Sequence, residues 1–442
     1  MNFSNDNQPN IIIIYTDDQG YADVDGFGEP QDFNTPNLAE MAQEGMRFTD
    51  FYSAAPICSA SRAALLTGRY PQRTGISGVL FPDNEYGLPQ KEVTIASSLK
   101  EVGYNTACVG KWHLGHQPQF LPTNHGFDKY FGIPYSNDMS IDPRMKIAEE
   151  AVIKEEISRE KNKVPLMKQE EVIEYPVDQS QLTKRYTEKA KEFIQENQNS
   201  PFFLYLAHTM PHIPLYASER FRGSSEHGIY GDVIQEIDWS VGEIINKLKE
   251  LDIDQNTLIV FASDNGPWLD QNEFSGHAAP LRDGKFTRYE GGFRVPCIMR
   301  YPDKISRGKV CSKVVSTIDL LPTIANLVGA DIPQDRTIDG KSIVNLLGGN
   351  ESNETIHEYF YYYKEAVRSG QWKLYKPGTY DEYYEDKEGN IKKHQVKYDK
   401  YRLFNLKEDI SETNNVIEKY PEIAKRLKEK LKEHEIDLNK DI

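Results

Sequence analysis

The chain has 442 residues, 27% charged and 38% hydrophobic, and its 52 basic against 68 acidic side chains leave a net charge of −16. That length suffices for one large α/β domain or two to three smaller ones, and recurring apolar runs exclude disorder as the main state. No apolar run approaches the roughly 20 residues a bilayer requires, and the acidic balance argues against nucleic acid as the default partner.

Asn10–Tyr15 is a short β-branched run between Pro9 and Thr16-Asp17-Asp18, which predicts a buried parallel strand. Helical patterns follow at Pro36–Gly45 and Val93–Val102, then a strand at Asn105–Val109. Further on come a helix at Gln181–Glu196, a strand at Phe202–Ala207, a helix at Asp232–Leu248 and a strand at Thr257–Ala262. In the Asp232 helix, Val233, Ile234, Ile237, Val241, Ile244, Ile245 and Leu248 keep one face apolar. Such alternation predicts a mostly parallel sheet with helices on both faces. Sheets of that kind bind ligands beyond the carboxyl ends of their strands.

The Lys/Glu-rich stretch Met145–Val177 is expected to be a solvated insertion carrying a helix. After about residue 350, Tyr359–Tyr363, Trp372–Tyr375 and Tyr401–Phe404 predict a small antiparallel sheet, closed by a helix from about Glu422 to Glu433. The expected division is residues 1–350 as the main domain and 351–442 as a C-terminal subdomain. Cys108, Cys297 and Cys311 are expected to be buried thiols, since neither a disulfide framework nor a zinc spacing is present.

Three strand ends run into polar clusters: Asp17-Asp18-Gln19-Gly20, Gly110-Lys111-Trp112-His113 and Ser263-Asp264-Asn265-Gly266. Asp17, Asp18, Asp264 and Asn265 form an all-oxygen set suited to a hard divalent ion, Ca²⁺ more than Zn²⁺. Taken singly, Asp-Asp and Asp-Asn-Gly are ordinary turn sequences; their placement after apolar strands is what singles them out. In Cys58-Ser-Ala-Ser-Arg62, a thiol opens a short helix with Arg62 one turn on. Helix amides and a guanidinium on one side form an anion site, where a cysteine is a candidate nucleophile. The same residues also read as a small buried side chain opening a packed helix.

Cys58-Ser-Ala60-Ser-Arg62, followed by Leu66-Thr-Gly-Arg69, resembles the signature of the formylglycine-dependent sulfatases at every fixed position. Asp17-Asp18, Gly110–Gly115, Gly132–Asp138, Phe202–His208, Ser263–Gly266, Gly284-Lys285 and Tyr289–Gly292 follow the family's order. The wording of Gly115–Phe120, Gly132–Asp138 and Tyr230–Asp232 is most similar to the arylsulfatase A and N-acetylgalactosamine-6-sulfatase branch. The resemblance implies an alkaline-phosphatase-like α/β fold, with a sulfatase domain over 1–350. It implies that Cys58 is oxidised by a formylglycine-generating enzyme to Cα-formylglycine, whose hydrate attacks sulfur.

Carried over residue by residue, it makes Asp17, Asp18, Asp264 and Asn265 the Ca²⁺ ligands, with residue 58 beside the ion. Arg62, Lys111 and Lys285 screen the sulfate charge. His208 protonates the leaving alcohol with Lys285 close by, and His113 deprotonates the hydroxyl whose collapse expels sulfate. Ser136 is implied to bond the sulfate; His212 either lines the sugar pocket or caps a turn. Trp268, His277 and Arg282 lie near this segment in sequence and are candidates for substrate contact.

The implied partner is a sulfated carbohydrate, with a lean toward sulfated galactose or N-acetylgalactosamine. Two competing readings stand beside it: a phosphonate monoester or phosphodiester hydrolase of the same superfamily, and a sulfoglycan-binding protein whose Cys58 stays a thiol. Met1–Asp6 shows no secretion signal, which leaves a cytoplasmic protein or one trimmed of its leader. The resemblance favours a periplasmic or secreted enzyme.

Overall fold

The run from Asn10 forms strand β1 (Asn10–Thr16), and every residue in it is buried. A strand with no solvent face needs cover on both sides, which only the middle of a sandwiched sheet provides. Here a computed structural model describes residues 8–139, 164–348 and 355–440. Along the chain follow β2 (Met46–Phe48), β3 (Phe51–Tyr52), β4 (Asn105–Gly110), β5 (Lys129–Gly132), β6 (Leu166–Lys168) and β7 (Glu171–Glu174). After them come β8 (Phe202–Ala207), β9 (Thr257–Ser263), β10 (Cys297–Arg300) and β11 (Lys309–Cys311).

The large sheet has the order β11-β2-β10-β9-β1-β8-β4-β5-β6-β7. Its centre, β9, β1, β8, β4 and β5, is parallel, whereas β10, β6 and β7 join antiparallel. Two-residue alternation splits the central strands between two cores. Ile11, Ile13, Tyr15, Phe203 and Tyr205 face the helices Cys58–Thr67, Ile95–Glu101 and Leu320–Val328. Ile12, Ile14, Leu204 and Leu206 face the helices Pro36–Glu44, Leu182–Glu196 and Gly228–Glu250. The architecture is the expected alkaline-phosphatase-like one: a mostly parallel sheet flanked by helices, with a small antiparallel sheet near the C-terminus.

The Lys/Glu-rich stretch is described only in part: residues 145–163, and the expectation of a helix there, lie outside the described residues, and 164–177 carry the β6–β7 hairpin. Val164 and Leu166 are fully buried in the core that holds Phe131 of β5. Pairing there satisfies the edge of β5, while Glu171, Val172 and Ile173 face outward.

β12 (Val315–Ser316) pairs with β3. Beyond it, β13 (Phe360–Tyr362), β14 (Ala366–Ser369) and β15 (Trp372–Tyr375) precede a hairpin of β16 (Gly378–Glu385) and β17 (Ile391–Tyr398). β18 (Arg402–Asn405) then closes an antiparallel sheet in the order β13-β14-β15-β18. The helix Pro421–Leu438 covers it through Ala424, Leu427 and Leu431. Cys108, Cys297 and Cys311 are buried free thiols. Among the described residues no helix is long and apolar enough to cross a membrane.

Candidate active site

Parallel pairing sets Thr16 of β1 beside Ser263 of β9, so Asp17-Asp18 and Asp264-Asn265 leave the sheet together. The Asp264 amide donates to the Thr16 carbonyl at 3.0 Å. In return the Asp18 amide donates to Asp264 Oδ1 at 3.0 Å, and Asn265 Nδ2 to Asp18 Oδ1 at 2.7 Å. Asp18 makes the turn with φ 64°, a conformation aspartate tolerates better than most residues. All four side chains are buried.

Buried carboxylates need counter-charge, and three cations supply it. Arg62 lies in the helix Cys58–Thr67, every residue of which is buried. Its Nε and Nη2 donate to Asp264 Oδ2 at 3.1 and 2.8 Å, and its Nη1 to the Lys111 carbonyl at 3.0 Å. Lys111 leaves the end of β4 and donates to Asp17 Oδ2 and, at 3.0 Å, to Ser136 Oγ. Lys285 Nζ donates to Asp18 Oδ2 at 2.7 Å. Cys58 opens its helix with Sγ 4.0 Å from Asp18 Oδ1. Asp17, Asp18, Asp264, Asn265, Cys58, Arg62, Lys111, Ser136 and Lys285, expected from separate motifs, therefore meet in one place.

The charges decide the protonation states. Burial alone would raise Asp17, but Lys111 first, then His212, Arg62 and Lys285, hold it well below the usual carboxylate range. Asp264 goes the other way: burial and then the Asp17 charge push it up, with Arg62 opposing. Burial pushes the Cys58 thiol well up, although Lys111 and Lys285 pull it down. Burial thus favours the thiol form of an unmodified Cys58, a poorer nucleophile than the thiolate.

His113 and His208 part company. The His113 Nε2 proton goes to the Leu80 carbonyl at 2.8 Å, which leaves Nδ1 buried and without a partner among the described residues. Burial, and then Lys111, push this imidazole well below its ordinary value, so Nδ1 is a bare lone pair beside the cationic cluster. His208 was expected in the cluster, yet its ring turns to the opposite side of the sheet. Its Nε2 meets Ser240 Oγ at 3.2 Å and its ring lies 6.5 Å from that of Tyr186. The reason is parity: His208 follows Leu204 and Leu206 on the two-residue period and keeps to their face.

His212 is the histidine the fold brings in. Its Nε2 lies 3.6 Å from Asp18 Oδ2, and its Nδ1 donates to the Ile213 carbonyl at 2.6 Å. Burial and then Lys285 lower its pKa, with Asp18 and Asp17 opposing. Trp268 stands against it, ring centroids 5.6 Å apart, with Lys285 Nζ 4.7 Å from the indole centre. The other two sequence neighbours do not join. His277 bonds Asp23 through Nδ1 at 3.1 Å, and Arg282 is spent on Glu382 and the Glu412 carbonyl.

Asp23 is a residue the motifs did not reveal. Its buried carboxylate accepts from the Gly20 amide at 2.6 Å, the Tyr230 hydroxyl at 2.6 Å and the His277 amide at 2.9 Å. It thereby fastens the loop that follows Asp17-Asp18 to two neighbouring elements. The only signal in the chain is a third aspartate closely behind the pair.

The donor set fits a hard divalent cation. Asp17 Oδ1 and Asn265 Oδ1 are buried oxygens with no hydrogen-bond partner among the described residues. Donor atoms of Asp17, Asp18, Cys58 and His212 lie within 4.8 Å of one another. These two partnerless atoms are oxygens, hard donors that suit Ca²⁺ better than Zn²⁺.

Known proteins resemble the chain in sequence and in fold. The sulfatase family profile matches residues 9–330, and one for the C-terminal region of N-sulphoglucosamine sulphohydrolase matches residues 282–437. N-acetylgalactosamine-6-sulfatase of Canis lupus familiaris is 40% identical over 83% of this chain and 71% of its own length. Arylsulfatase A of Bos taurus is 36% identical over 97% of this chain and 87% of its own length. In structure, the PsFucS1 sulfatase from Pseudoalteromonas sp. superposes with a TM-score of 0.85 at 27% identity, over 98% of this chain and 91% of that one. Shared sequence along most of the chain, on a sheet that gathers the motif residues at one edge, leads to one conclusion: this chain belongs to the sulfatase family and is a sulfuric ester hydrolase.

Proposed function

We propose that the chain removes sulfate from a sulfated saccharide, with sulfated galactose or N-acetylgalactosamine units as the first candidates, through a nucleophile made from Cys58. The observation that carries this reading is the convergence of Arg62, Lys111 and Lys285 on a buried carboxylate cluster beside residue 58. A sulfate ester is an anion, and a positive field is what lets an oxygen nucleophile approach its sulfur. A hydrated aldehyde at residue 58 would supply the attacking oxygen, and a second hydroxyl whose collapse releases sulfate. Ca²⁺ held by Asp17, Asp18, Asp264 and Asn265 would act as a Lewis acid toward the sulfate oxygens.

The chain's own groups fill the remaining roles. His113 Nδ1, bare because Nε2–H is committed to Leu80, takes the proton of that second hydroxyl. Ser136 and Lys111, bonded to each other, hold sulfate oxygens. His212 replaces His208 at the leaving oxygen, with Lys285 beside it. An incoming anionic ester raises the pKa of a neutral imidazole, which charges His212 when a proton is needed. Maturation requires a formylglycine-generating enzyme, and a substrate drawn from extracellular glycans places the enzyme in the periplasm or outside the cell.

The test is sulfate release, followed by ion chromatography, from sulfated mono- and disaccharides after co-expression with the maturation enzyme. Release from one regio-isomer is expected, abolished by chelation and by Asp264→Ala. If the aldehyde is confirmed at residue 58 and phosphonate monoesters or phosphodiesters turn over while every sulfate ester is left intact, the reading is wrong.

A further inference from the structure

The loop after β5 carries Ser136 and Asn137, both fully buried. Ser136 takes the Lys111 ammonium, whereas Asn137 turns to the segment that holds His212. Asn137 Nδ2 lies 3.1 Å from the Pro214 carbonyl, 3.2 Å from Gln179 Oε1 and 3.4 Å from the His212 carbonyl. Two N–H groups thus serve three acceptors, and the two backbone carbonyls settle which end of the amide is nitrogen. Gln179 closes the pair by donating Nε2 to the Asn137 carbonyl at 3.0 Å, and it too is buried.

The two carbonyls that Asn137 grips flank a third, that of Ile213, which accepts His212 Nδ1–H at 2.6 Å. Pro211 and Pro214 have no N–H, so this stretch has few amides to offer and is held through its carbonyls. With the neighbouring peptide planes fixed, the Ile213 carbonyl keeps its direction. A carbonyl only accepts, so the neutral ring carries its proton on Nδ1 and turns Nε2 toward Asp18, 3.6 Å from Oδ2. Packing alone does not explain an asparagine here. Its Oδ1 is buried with no hydrogen-bond partner among the described residues, a cost that an apolar side chain of the same size would avoid. What the asparagine adds is its N–H groups.

We propose that Asn137, braced by Gln179, is a positioning residue for the reaction: it fixes the tautomer and the direction of His212 without touching substrate. The inference rests on the reading of His212 as proton donor to the leaving oxygen, and its test has a readout that needs no turnover. Full-length protein saturated with Ca²⁺ and labelled with ¹⁵N-histidine is followed by NMR at neutral pH, the His212 signals being those absent from His212→Asn. The native ring should show Nδ1 protonated and Nε2 bare. In Asn137→Ala the two nitrogen shifts should move toward each other as the tautomers mix. Gln179→Met keeps the side-chain length and removes both amide contacts; it should mix the tautomers in part, and it carries the test if Asn137→Ala does not fold. In aldehyde-bearing protein, Asn137→Ala should lower kcat for sulfate release about tenfold or more with KM nearly unchanged, the pattern of a misplaced group. A native ring in another state, a His212 tautomer unmoved in both variants, or mixed tautomers with native kcat would overturn the proposal. Failure of the proton-donor reading shows separately, as full activity in His212→Asn while the tautomer still depends on Asn137.

Discussion

At the scale of the residue, the two histidines after β8 separate by which side of the sheet they reach. His212 sits against Asp18 and Trp268, whereas His208 bonds Ser240 in the helix-side core. His212→Asn should therefore lower kcat about a hundredfold or more, the range of a lost general acid. His208→Asn should keep activity and change stability instead. Burial holds His208 near pKa about 4, against an ordinary 6.5. The unfolded chain binds a proton there that the folded chain refuses, so the contribution is present above pH 6.5 and is lost as pH falls toward 4. Between pH 7 and pH 5 the native protein should lose about 2 kcal/mol through this residue. Denaturant unfolding at the two pH values should show that fall reduced in His208→Asn. Activity loss with His208→Asn and none with His212→Asn would return the proton-donor role to His208.

At the scale of the element, the strand ends are placed by backbone contacts as tight as any side-chain packing. Gly110 closes β4 at φ 117°, and a Cβ there would stand 1.8 Å from the Ala207 carbonyl oxygen of β8. Backbone cannot give way as a flexible side chain can, and the Lys111 amide bonds that same carbonyl at 2.8 Å. Gly110→Ala should cost about 3 kcal/mol or more, read from the urea midpoint; a loss under about 1 kcal/mol would mean the two strands slide apart freely. The sequence shows β1, β4, β8 and β9 because their burial on both faces makes their apolar runs continuous. It also shows the carboxylates and cations, because each follows such a strand or opens the Cys58 helix. What stays hidden depends on pairing between distant segments: the β16–β17 hairpin, whose strands carry no continuous apolar run, and Asp23, whose partners Tyr230 and His277 lie far along the chain. The side chosen by His208 was legible from strand parity, whereas the reach of His212 depends on the loop that carries it.

At the scale of the molecule, the C-terminal sheet is joined to the catalytic part through buried charge. Glu290, just after the Lys285 loop, accepts from the Tyr362 hydroxyl at 2.6 Å and pairs with Lys373 at 2.9 Å. Lys373 of β15 also meets Glu412 at 3.1 Å, while the Glu412 carboxylate takes the Glu290 amide at 2.7 Å. Lys373, Glu290 and Glu412 are fully buried. Burial would raise Glu290, yet Lys373, then Arg368 and Arg294, hold it well below the usual carboxylate range. The network adds to a shared aromatic core, in which Tyr52, Tyr289 and Phe293 pack with Phe360, Tyr362 and Tyr375, and makes each part depend on the other's charges. Lys373→Met leaves two carboxylates buried around one missing ammonium, which should cost about 3–5 kcal/mol. Because the same carboxylates grip the segment behind Lys285, the loss should not stay within the small sheet. Calorimetry on the native protein should give a single unfolding transition, and Lys373→Met a single transition at lower temperature. A variant that melts in two steps, with the main sheet at its original temperature, would show that the C-terminal sheet is an independent unit whose loss leaves the catalytic core standing.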